Sequence, residues 1–579
     1  MRRLLGYLRR YQARYALGGA CLLVTASLAM AVPYLLKRGI DAIERGEPFR
    51  VAAELAAAIV VIALVQVVTR TLSRALIFNV GRDVERDLRG DLFAHLQRLP
   101  LSYYQAQQTG DLMSRLVNDV TAIRMLLGVG VLNLVNTPIY YAYGITIMLT
   151  IDPLLTLLSL LPFPVLLLAV KRVSRRLMEQ TMRVQEGLAS LSSAVQENIS
   201  GIHVVKAYDA EAVAVERFAR LNDEFTRQSV ELARVRGRLM PLMRLAAGAG
   251  TLVVLWVGGT QVIDGRIGLG DLVAFIGYLN LLAWPTMALG WMLSIVQRGR
   301  AALVRLEHIF ASPPAIADAP DATPLPAVRG RVEFRNVTFA YPSRDNGHAV
   351  VSNVSFTLEP GEKLGIVGRT GAGKSSLVQL LPRLFDVADG AVLLDGRDVR
   401  GLPLAQLRQA VAVVPQDPFL FSRRIRDNIG FALDDPDPAA IERAAEIAGV
   451  ADDVAAFPHG YDTIVGERGI TLSGGQKQRL TLARALLAQP RVLVLDDALS
   501  SVDTRTEHAI LHHLREVMAG CTSIVIAHRV STVMDADRIA VVDDGRIVEF
   551  GDHAALVARD GLYAELFRQQ QLEEEIEAL

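Results

Sequence analysis

The sequence has very little cysteine and no excess of either charge. Its 579 residues contain two cysteines, Cys21 and Cys521, and 61 basic residues against 61 acidic ones. Two such distant thiols predict no disulfide framework. The zero net charge argues against nucleic acid as a partner, because proteins that bind it concentrate basic residues. Apolar residues are abundant instead, at 51%, while 21% of residues are charged, so the chain combines apolar segments with an aqueous part. Its length predicts at least two domains.

Charged residues are also absent from six apolar runs, all in the first half of the chain. Most runs approach the roughly 20 residues that cross a bilayer. The second is short unless it extends back through Val51, which brings Glu54 to the interface. Core helices of a soluble protein are the alternative, but six runs in half a chain favour membrane spans. The runs are 16–36, 55–69, 125–151, 153–170, 245–263 and 272–297.

Basic residues crowd the segments between these runs. The loops 70–124 and 171–244 are long, helical in pattern and rich in arginine, whereas Asp152 alone separates the third and fourth runs. Arginine is also frequent at the N-terminus. The positive-inside bias therefore places the N-terminus, both long loops and the second half of the chain in the cytosol. The loop 37–50 carries some basic charge, which weakens this bias without reversing it.

The N-terminal segment MRRLLGYLRRYQARY lacks the pattern of a signal-peptide cleavage site. The first apolar run is also longer than a signal-peptide core. The segment predicts instead an amphipathic helix that lies on the membrane.

A glycine-rich segment in the second half, GRTGAGKS at 368–375, fits the phosphate-loop pattern. The apolar LGIVG before it predicts a strand and SLVQLL after it predicts a helix, which is the context this pattern requires. Glycines let successive backbone N–H groups point at a phosphate, and the helix N-terminus adds positive potential. Lys374 is expected to reach the β- and γ-phosphates, and the Ser375 hydroxyl to bind Mg²⁺.

A second cluster of motifs follows about a hundred residues later. LSGGQ occupies 472–476, and VLVLDDALSSVD occupies 492–503. Together with the phosphate loop, Gln416 in VVPQDPFLF and His528 in IVIAHR, these motifs resemble the ABC transporter ATPases in order and spacing. The resemblance covers the whole chain, as one membrane half followed by one nucleotide-binding domain, and is specifically to ABC exporters.

This resemblance implies a fold class. It implies an α-helical membrane domain of six transmembrane helices, followed by an α/β phosphate-loop ATPase with a RecA-like core, an antiparallel β subdomain and a helical subdomain. The expected bounds are 1–310 for the membrane domain, 311–328 for a linker rich in Ala and Pro that proline would hold extended, and 329–579 for the ATPase. It also implies ATP and Mg²⁺ as ligands, and a bacterial cytoplasmic membrane as the location.

The resemblance also implies roles for individual residues. Asp497 would orient the attacking water, His528 would contact the γ-phosphate, and Gln416 would join Mg²⁺ to the coupling loop. Mg²⁺ would be held by Ser375, Gln416 and Asp496. Tyr341 would stack on adenine, although ordinary sheet packing explains a tyrosine equally well. Nucleotide contacts are expected from Tyr341, Gly368, Arg369, Thr370, Gly371, Ala372, Gly373, Lys374, Ser375 and Ser376, and, on the nucleotide of a second domain, from Ser473, Gly474, Gly475 and Gln476.

Asp497 departs from the family, which usually has Glu at this position. The shorter side chain withdraws the carboxylate by roughly 1.5 Å, about one C–C bond, and a misplacement of about 1 Å can cost on the order of 10²-fold in rate. This chain is expected to bind ATP well and to hydrolyse it poorly. Because LSGGQ is intact, the pattern resembles the degenerate-site subunit of heterodimeric bacterial multidrug exporters, the multidrug-resistance-like pair. A homodimer with a slower base is the alternative.

Two loop segments, 103–120 and 196–211, resemble the coupling helices of exporters. A solvated helical hairpin is the alternative for each. The expected cargo is a small amphipathic compound in the lipid bilayer, but drugs, lipids and peptides all remain open, because the apolar runs contain no ionisable residue that would fix a charge. Aromatic residues could line a cavity or anchor the membrane interface: Trp256, Trp284, Trp291, Tyr140, Tyr141 and Tyr143. An importer is disfavoured by the fused ATPase, and a soluble ABC protein by the apolar runs.

Overall fold

The chain folds into two compact units. The structure is a computed structural model that describes residues 2–342, 348–466, 472–502 and 504–577. One unit comprises Met1–Ala94 and Leu112–Ala311, and the other comprises His95–Asp111 and Ser312–Leu579. The division after Ala311 lies next to the expected one. The loop residues 95–111 differ from the expected division, because they group with the second unit.

The first unit is helical in its described part. Two tandem helices, α7 and α8, are joined at Asp152 alone, whose Oδ1 accepts a hydrogen bond from the backbone N–H of Leu155 at 2.6 Å. π-Helical turns at Arg115–Asp119, Leu126–Gly130 and Val254–Gly258 join shorter helices end to end. The helices are α1 (Arg2–Arg10), α2 (Gln12–Glu44), α3 (Phe49–Leu96), α4 (Leu101–Ala106, in the second unit), α5 (Thr109–Ser114), α6 (Val120–Met125), α7 (Val131–Ile151), α8 (Pro153–Leu160), α9 (Pro162–Ser200), α10 (Ile202–Ala207), α11 (Glu211–Val253), α12 (Gly259–Ile263) and α13 (Leu269–Ala311).

Three helical stretches among the described residues are long and apolar enough to cross a bilayer: Gln12–Glu44, Phe49–Leu96 and Thr109–Ile151. Gly248–Ile263 and Leu269–Ala283 are apolar but shorter. In α3 large apolar side chains are exposed, as hydrocarbon contact would require; Leu64, Val67 and Val68 are 63%, 63% and 65% exposed. The six apolar runs lie in helical segments, with a turn at Leu161 inside the fourth run, and six complete spans stay a prediction.

The N-terminal helix is tied to α3. Arg10 Nη1 and the Tyr11 hydroxyl each donate to Asp87 Oδ2 at 2.9 Å. The Tyr7 hydroxyl donates to Asp91, and Arg14 pairs with Asp83 at 2.6 Å. The three aspartates are four residues apart and so share one face of α3. This polar row fixes the helix that the sequence predicts at the membrane surface.

The second unit contains two sheets. One is antiparallel, in the order β2-β1-β4-β5, and the other has the order β10-β9-β3-β8-β7-β6, with β3, β6, β7, β8 and β9 parallel. The strands are β1 (Val332–Phe339), β2 (Val351–Leu358), β3 (Lys363–Val367), β4 (Asp389–Leu394), β5 (Arg397–Asp398), β6 (Val411–Val414), β7 (Val492–Asp496), β8 (Thr522–Ile526), β9 (Arg538–Asp543) and β10 (Arg546–Gly551). The helices are α14 (Lys374–Gln379), α15 (Leu404–Ala410), α16 (Ile425–Ile429), α17 (Pro438–Ile447), α18 (Ala451–Ala456), α19 (Gly474–Leu487), α20 (Thr504–Met518), α21 (His553–Ala558) and α22 (Leu562–Glu577).

The parallel sheet is covered on both faces, which explains the continuous apolar run of β7. Val492 and Val494 pack into one core with the antiparallel sheet, whereas Leu493 and Leu495 pack into the other with α17 and α19. Because the strands are parallel, their carboxyl ends meet at one edge, where open α/β sheets bind ligands. β3 ends at the phosphate loop and β7 at Asp496.

The linker is docked on the second unit and contains no helix or strand between Ala311 and β1. Gln406 makes two hydrogen bonds to the backbone of Leu325, and Arg383 donates to the carbonyl of Ala317 at 3.2 Å. The proline-rich linker therefore forms irregular backbone that is hydrogen-bonded to the surface of the second unit. The nearby segment 95–111 lies on this unit as well, with His95 Nε2 at 3.1 Å from the carbonyl oxygen of Ser312.

Candidate functional site

The phosphate loop joins β3 to α14, as the sequence predicts. Gly368 has φ +152°, and a Cβ there would lie 2.0 Å from the carbonyl oxygen of Val542. Gly373 has φ +97°, and its Cβ would lie 2.5 Å from the carbonyl oxygen of Val350. Both backbone atoms belong to the surrounding fold and cannot move aside as a flexible side chain could. Only glycine therefore fits at these two positions.

Lys374 begins α14 with its side chain folded back over the loop. Its Nζ donates to the carbonyls of Gly368 and Arg369 at 2.8 and 3.0 Å. Burial lowers the pKa of Lys374, and the negative charges of Asp497 and Asp496 oppose this shift. The residue is only 6% exposed, so its ammonium group is held by loop carbonyls and nearby carboxylates rather than by solvent.

Ser375 and Asp496 meet across the cleft. The Ser375 hydroxyl donates to Asp496 Oδ1 at 2.9 Å, and Asp496 is 5% exposed at the end of β7. Burial raises the pKa of Asp496, and the charge of Asp497 adds to the shift; the Ser375 hydrogen bond, Lys374 and His528 oppose it. A carboxylate beside a hydroxyl supplies the oxygen ligands that Mg²⁺ prefers. These residues fit Mg²⁺, which when bound would neutralise phosphate charge.

Asp497 follows in a left-handed backbone conformation, with φ +48°. Aspartate tolerates this region better than most residues, and the backbone N–H of Asp497 donates to the carbonyl of Ile526 at 3.0 Å. Gln416 Nε2 lies 3.4 Å from Asp497 Oδ2, at the long limit of a hydrogen bond. The turn therefore presents two consecutive carboxylates at the same edge of the sheet.

These groups line one cleft of about 340 Å³. Tyr341 also lines it, but its ring packs edge-on against Phe339 and Phe385, and its hydroxyl bonds to Ser376 at 2.9 Å. Sheet packing thus accounts for these contacts of Tyr341, and adenine stacking stays a prediction. The lining residues are Tyr341, Val350, Thr370, Gly371, Ala372, Gly373, Lys374, Ser375, Ser376, Gln416, Asp496, Asp497, Ile526 and His528.

The LSGGQ segment does not contribute to the lining of this cleft in the described part of the chain. Ser473 caps α19 in a capping box, in which the backbone N–H of Gln476 donates to Ser473 Oγ and that of Ser473 donates to Gln476 Oε1, at 3.2 and 3.0 Å. Ser473 and Gly474 are exposed. The N-terminus of α19 therefore presents backbone N–H groups and positive potential to solvent, where an anion can approach.

Gln478 is a structural residue that sequence reasoning missed. It is 2% exposed, its Nε2 donates to Ser500 Oγ at 3.1 Å, and its Oε1 accepts from the backbone N–H of Ser501 at 3.0 Å. The amide ties α19 to the loop after Asp497. The available signal was a polar residue on the buried face of α19. Asp503, which the sequence analysis includes in the motif VLVLDDALSSVD, lies outside the described residues.

Replacing the buried carboxylate of Asp496 should raise the stability of the fold and remove ligand binding. We expect Asp496→Asn to stabilise the nucleotide-free chain by about 1 kcal/mol, a common gain at functional sites, and to abolish Mg²⁺-dependent ATP binding. Because burial raises the pKa of Asp496, the stabilisation should be full above that raised pKa. The stabilisation should vanish below the ordinary pKa range of a carboxyl group, because the wild-type Asp496 is then protonated in both the folded and the unfolded chain.

Thermal unfolding of the full chain across a pH series measures this difference. Asp497→Asn is the matched control, because it removes the adjacent carboxylate, which is less buried. A lower melting temperature for Asp496→Asn at neutral pH, or equal gains from both variants, would contradict the expectation.

Known proteins resemble this chain along most of its length. Residues 15–286 match the ABC transporter transmembrane region and residues 351–500 match the ABC transporter family. The multidrug resistance-like ATP-binding protein MdlA of Escherichia coli K12 is 38% identical over 98% of this chain and 96% of its own. The ATP-dependent lipid A-core flippase of Syntrophus aciditrophicus is 33% identical over 99% and 95%. A bacterial Atm1-family ABC exporter with ATP bound superposes with a TM-score of 0.79 at 31% identity, covering 97% of this chain and 98% of that one.

Proposed function

Because the chain belongs to the ABC exporters, membrane proteins that fuse a transmembrane region to an ATPase domain and couple ATP hydrolysis to transport, we propose a specific role for it. The chain exports hydrophobic or amphipathic compounds across the bacterial cytoplasmic membrane by alternating access. It does so as one half of a heterodimer, whose partner is a different half-transporter with Glu after its magnesium-binding Asp.

The separation of the phosphate cleft from LSGGQ supports the need for a second ATPase domain, and Asp497 supports the choice of a different chain for it. The cleft is built around Lys374, Ser375 and Asp496, whereas Ser473 is exposed and absent from its lining. A second ATPase domain facing the first head to tail would bring each exposed α19 N-terminus to the opposite phosphate loop. A γ-phosphate there would meet the backbone N–H groups of this helix end.

The shorter carboxylate supports unequal sites. Among the described residues, the carboxylate of Asp497 approaches the side chain of Gln416, and its Oδ2 lies at the long distance of 3.4 Å from Gln416 Nε2. Water must be aligned for in-line attack, and small displacements lower the rate strongly. The α19 cap and the Gln478 contacts are well formed. A chain with a weak base and an intact α19 end can complete an active site on its partner.

In this assembly the chain's own residues hold and release nucleotide. Lys374 binds the β- and γ-phosphates by charge, Ser375 and Asp496 hold Mg²⁺ with Gln416, and His528 contacts the γ-phosphate. Binding of ATP between the two domains joins them, and loss of phosphate lets them separate. Segments 103–120 and 196–211 transmit this change to the helices. α4 and residues up to 111 group with the ATPase unit, which supports the first of these couplings.

The cargo class follows from the apolar helices and from the relatives. Tyr141 is half-buried, and its hydroxyl lies 2.5 Å from Thr286 Oγ1; Trp256 is 73% exposed, as expected of a lipid anchor. The side chain of Trp284 lies outside the described residues. Since one relative is named as a lipid A-core flippase, lipid translocation by a homodimer with a slower ATPase is the second candidate.

Co-purification and transport test the proposal together. The tagged chain, isolated from its native membranes, should bring down a second half-transporter with the catalytic Glu. Inside-out vesicles that contain both chains should accumulate an amphipathic dye when ATP is added. Lys374→Ala should lower uptake less than the equivalent lysine change in the partner, because this chain's site contributes less hydrolysis.

Two results would each contradict a different part of the proposed function. A purified chain that forms a homodimer and hydrolyses ATP at full exporter speed would overturn the heterodimer. Absence of ATP-dependent uptake across a broad panel of dyes would overturn amphipathic export, and uptake of a fluorescent lipid alone would favour the second candidate.

A further inference from the structure

The C-terminal helix α22 runs beside the nucleotide cleft. At its N-terminal end Glu565 Oε1 lies 3.9 Å from Nη2 of Arg369, a residue of the phosphate loop, and both side chains are exposed. Such an exposed pair contributes little stability. Further along α22, Gln570 contacts the loop that carries His528. One helix therefore contacts both the phosphate loop and the loop that carries His528.

Gln570 binds the backbone on either side of Arg529. Its Nε2 donates to the carbonyl of His528 at 2.5 Å, and its Oε1 accepts from the backbone N–H of Val530 at 2.5 Å. The amide thus pairs with the loop as a neighbouring strand would, using one donor and one acceptor at once. These two bonds hold the 528–529 and 529–530 peptide planes, and the first of these adjoins the Cα atom that carries the His528 side chain.

The far end of the same loop is held by another helix. The Thr532 hydroxyl donates to Glu507 Oε1 at 2.9 Å, and Glu507 is 8% exposed on α20. His528 itself is exposed in the cleft. The side chain of Arg529 also pairs with Glu507, at 3.7 Å, although it is about half exposed. A change at residue 570 would therefore act mainly on the backbone of residues 528–530.

We propose that Gln570 is a positioning residue for ATP hydrolysis, which holds His528 in place from the C-terminal helix. This rests on the role proposed above for His528 at the γ-phosphate. A catalytic group that is misplaced by roughly 1 Å can lose about 100-fold in rate. Loss of the Gln570 amide would allow the loop to move by a fraction of that distance, so we expect kcat to fall about 10-fold. KM for ATP should change less than twofold, because the phosphate loop and Asp496 are untouched.

Three variants of the full-length assembly in lipid bilayers test this. Gln570→Ala removes both hydrogen bonds. Gln570→Glu keeps an acceptor for the Val530 N–H but sets a carboxylate oxygen against the His528 carbonyl. Gln571→Ala is the matched control, because Gln571 is the exposed neighbour of the same residue type. Each is measured with Asp497 and with Asp497→Glu, in an assembly whose partner has its catalytic Glu changed to Gln, so that kcat reports the site built on this chain's phosphate loop. Hydrogen–deuterium exchange of the peptide that covers residues 528–532 is measured on the same assemblies.

The proposal expects faster exchange at residues 528–532 and a lower kcat for Gln570→Ala. For Gln570→Glu it expects a lower kcat with the Val530 N–H still protected, and for Gln571→Ala it expects no change. A kcat within twofold of wild type for both Gln570 variants would overturn it, and so would unchanged exchange in Gln570→Ala. Hydrogen–deuterium exchange does not depend on which chain hydrolyses ATP. Failure of the heterodimer proposal would therefore be seen separately, because Asp497→Glu would then not raise hydrolysis at this chain's site.

Discussion

Asp497→Glu should raise ATP hydrolysis at this chain's site by about 100-fold, equivalent to about 2.7 kcal/mol of activation free energy. The added methylene advances the carboxylate by roughly 1.5 Å toward the phosphate side of the cleft. The backbone at this position is left-handed, with φ +48°, a region that aspartate tolerates better than most residues, so the backbone gives glutamate no advantage. The gain should therefore come from the reach of the side chain.

Single-turnover hydrolysis measures this effect most directly. The partner's catalytic Glu is changed to Gln, so that turnover reports only the site built on this chain's phosphate loop. Asp497→Asn is the control, because it keeps the shape of aspartate and removes the base. Equal rates for wild type and Asp497→Glu would show that the shorter acid already aligns water, and the heterodimer proposal would lose its chemical basis.

Gly368→Ala should abolish ATP binding by this chain, with a loss of affinity of at least about 100-fold. The added Cβ would lie 2.0 Å from the carbonyl oxygen of Val542, a strand backbone atom in the core of the second unit. The loop would have to shift, and its N–H groups would no longer converge on the phosphates. Binding of a fluorescent ATP analogue to the purified chain measures the loss.

Gly361→Ala is the matched control for backbone strain. Gly361 has φ +88°, but a Cβ there would meet no atom within 4 Å. It should lower stability by about 1 kcal/mol, the low end of the cost for a left-handed residue, and leave nucleotide affinity intact. Similar losses of affinity in the two variants would show that strain in the fold, rather than the close approach to Val542, is responsible.

The parts of the site that the sequence predicts are those written in consecutive residues. The apolar run VLVL before Asp496 is typical of a strand, and β7 is a strand that is buried on both faces. The phosphate-loop spacing predicts Lys374 and Ser375 at a helix start, where the structure has them. Parallel strands end at one edge, so the meeting of Ser375 with Asp496 follows from topology. The expected ABC exporter fold is confirmed by the family matches and the solved relative.

The contacts that the sequence does not predict join residues far apart in the chain. Gln570 lies 42 residues after His528, and Gln406 lies 81 residues after Leu325. Both glutamines bind backbone groups, which every residue has, so no local pattern marks the pairing. The composition of residues 95–111 does not predict that they group with the ATPase unit, because this grouping depends on tertiary packing.

The docked linker bears on how an isolated ATPase fragment should be cut. Asp318 accepts from the backbone N–H of Leu404 at 2.7 Å, and Ala317 accepts from Arg383, a residue only 7% exposed. A fragment that starts at 329 would remove both acceptors. The backbone N–H of Leu404 in α15 would lose its partner, and Nη1 of the buried Arg383 would keep only the longer bond to the carbonyl of Arg400, at 3.4 Å. An isolated ATPase fragment should therefore start at residue 312, so that it keeps the linker together with the surface that the linker covers.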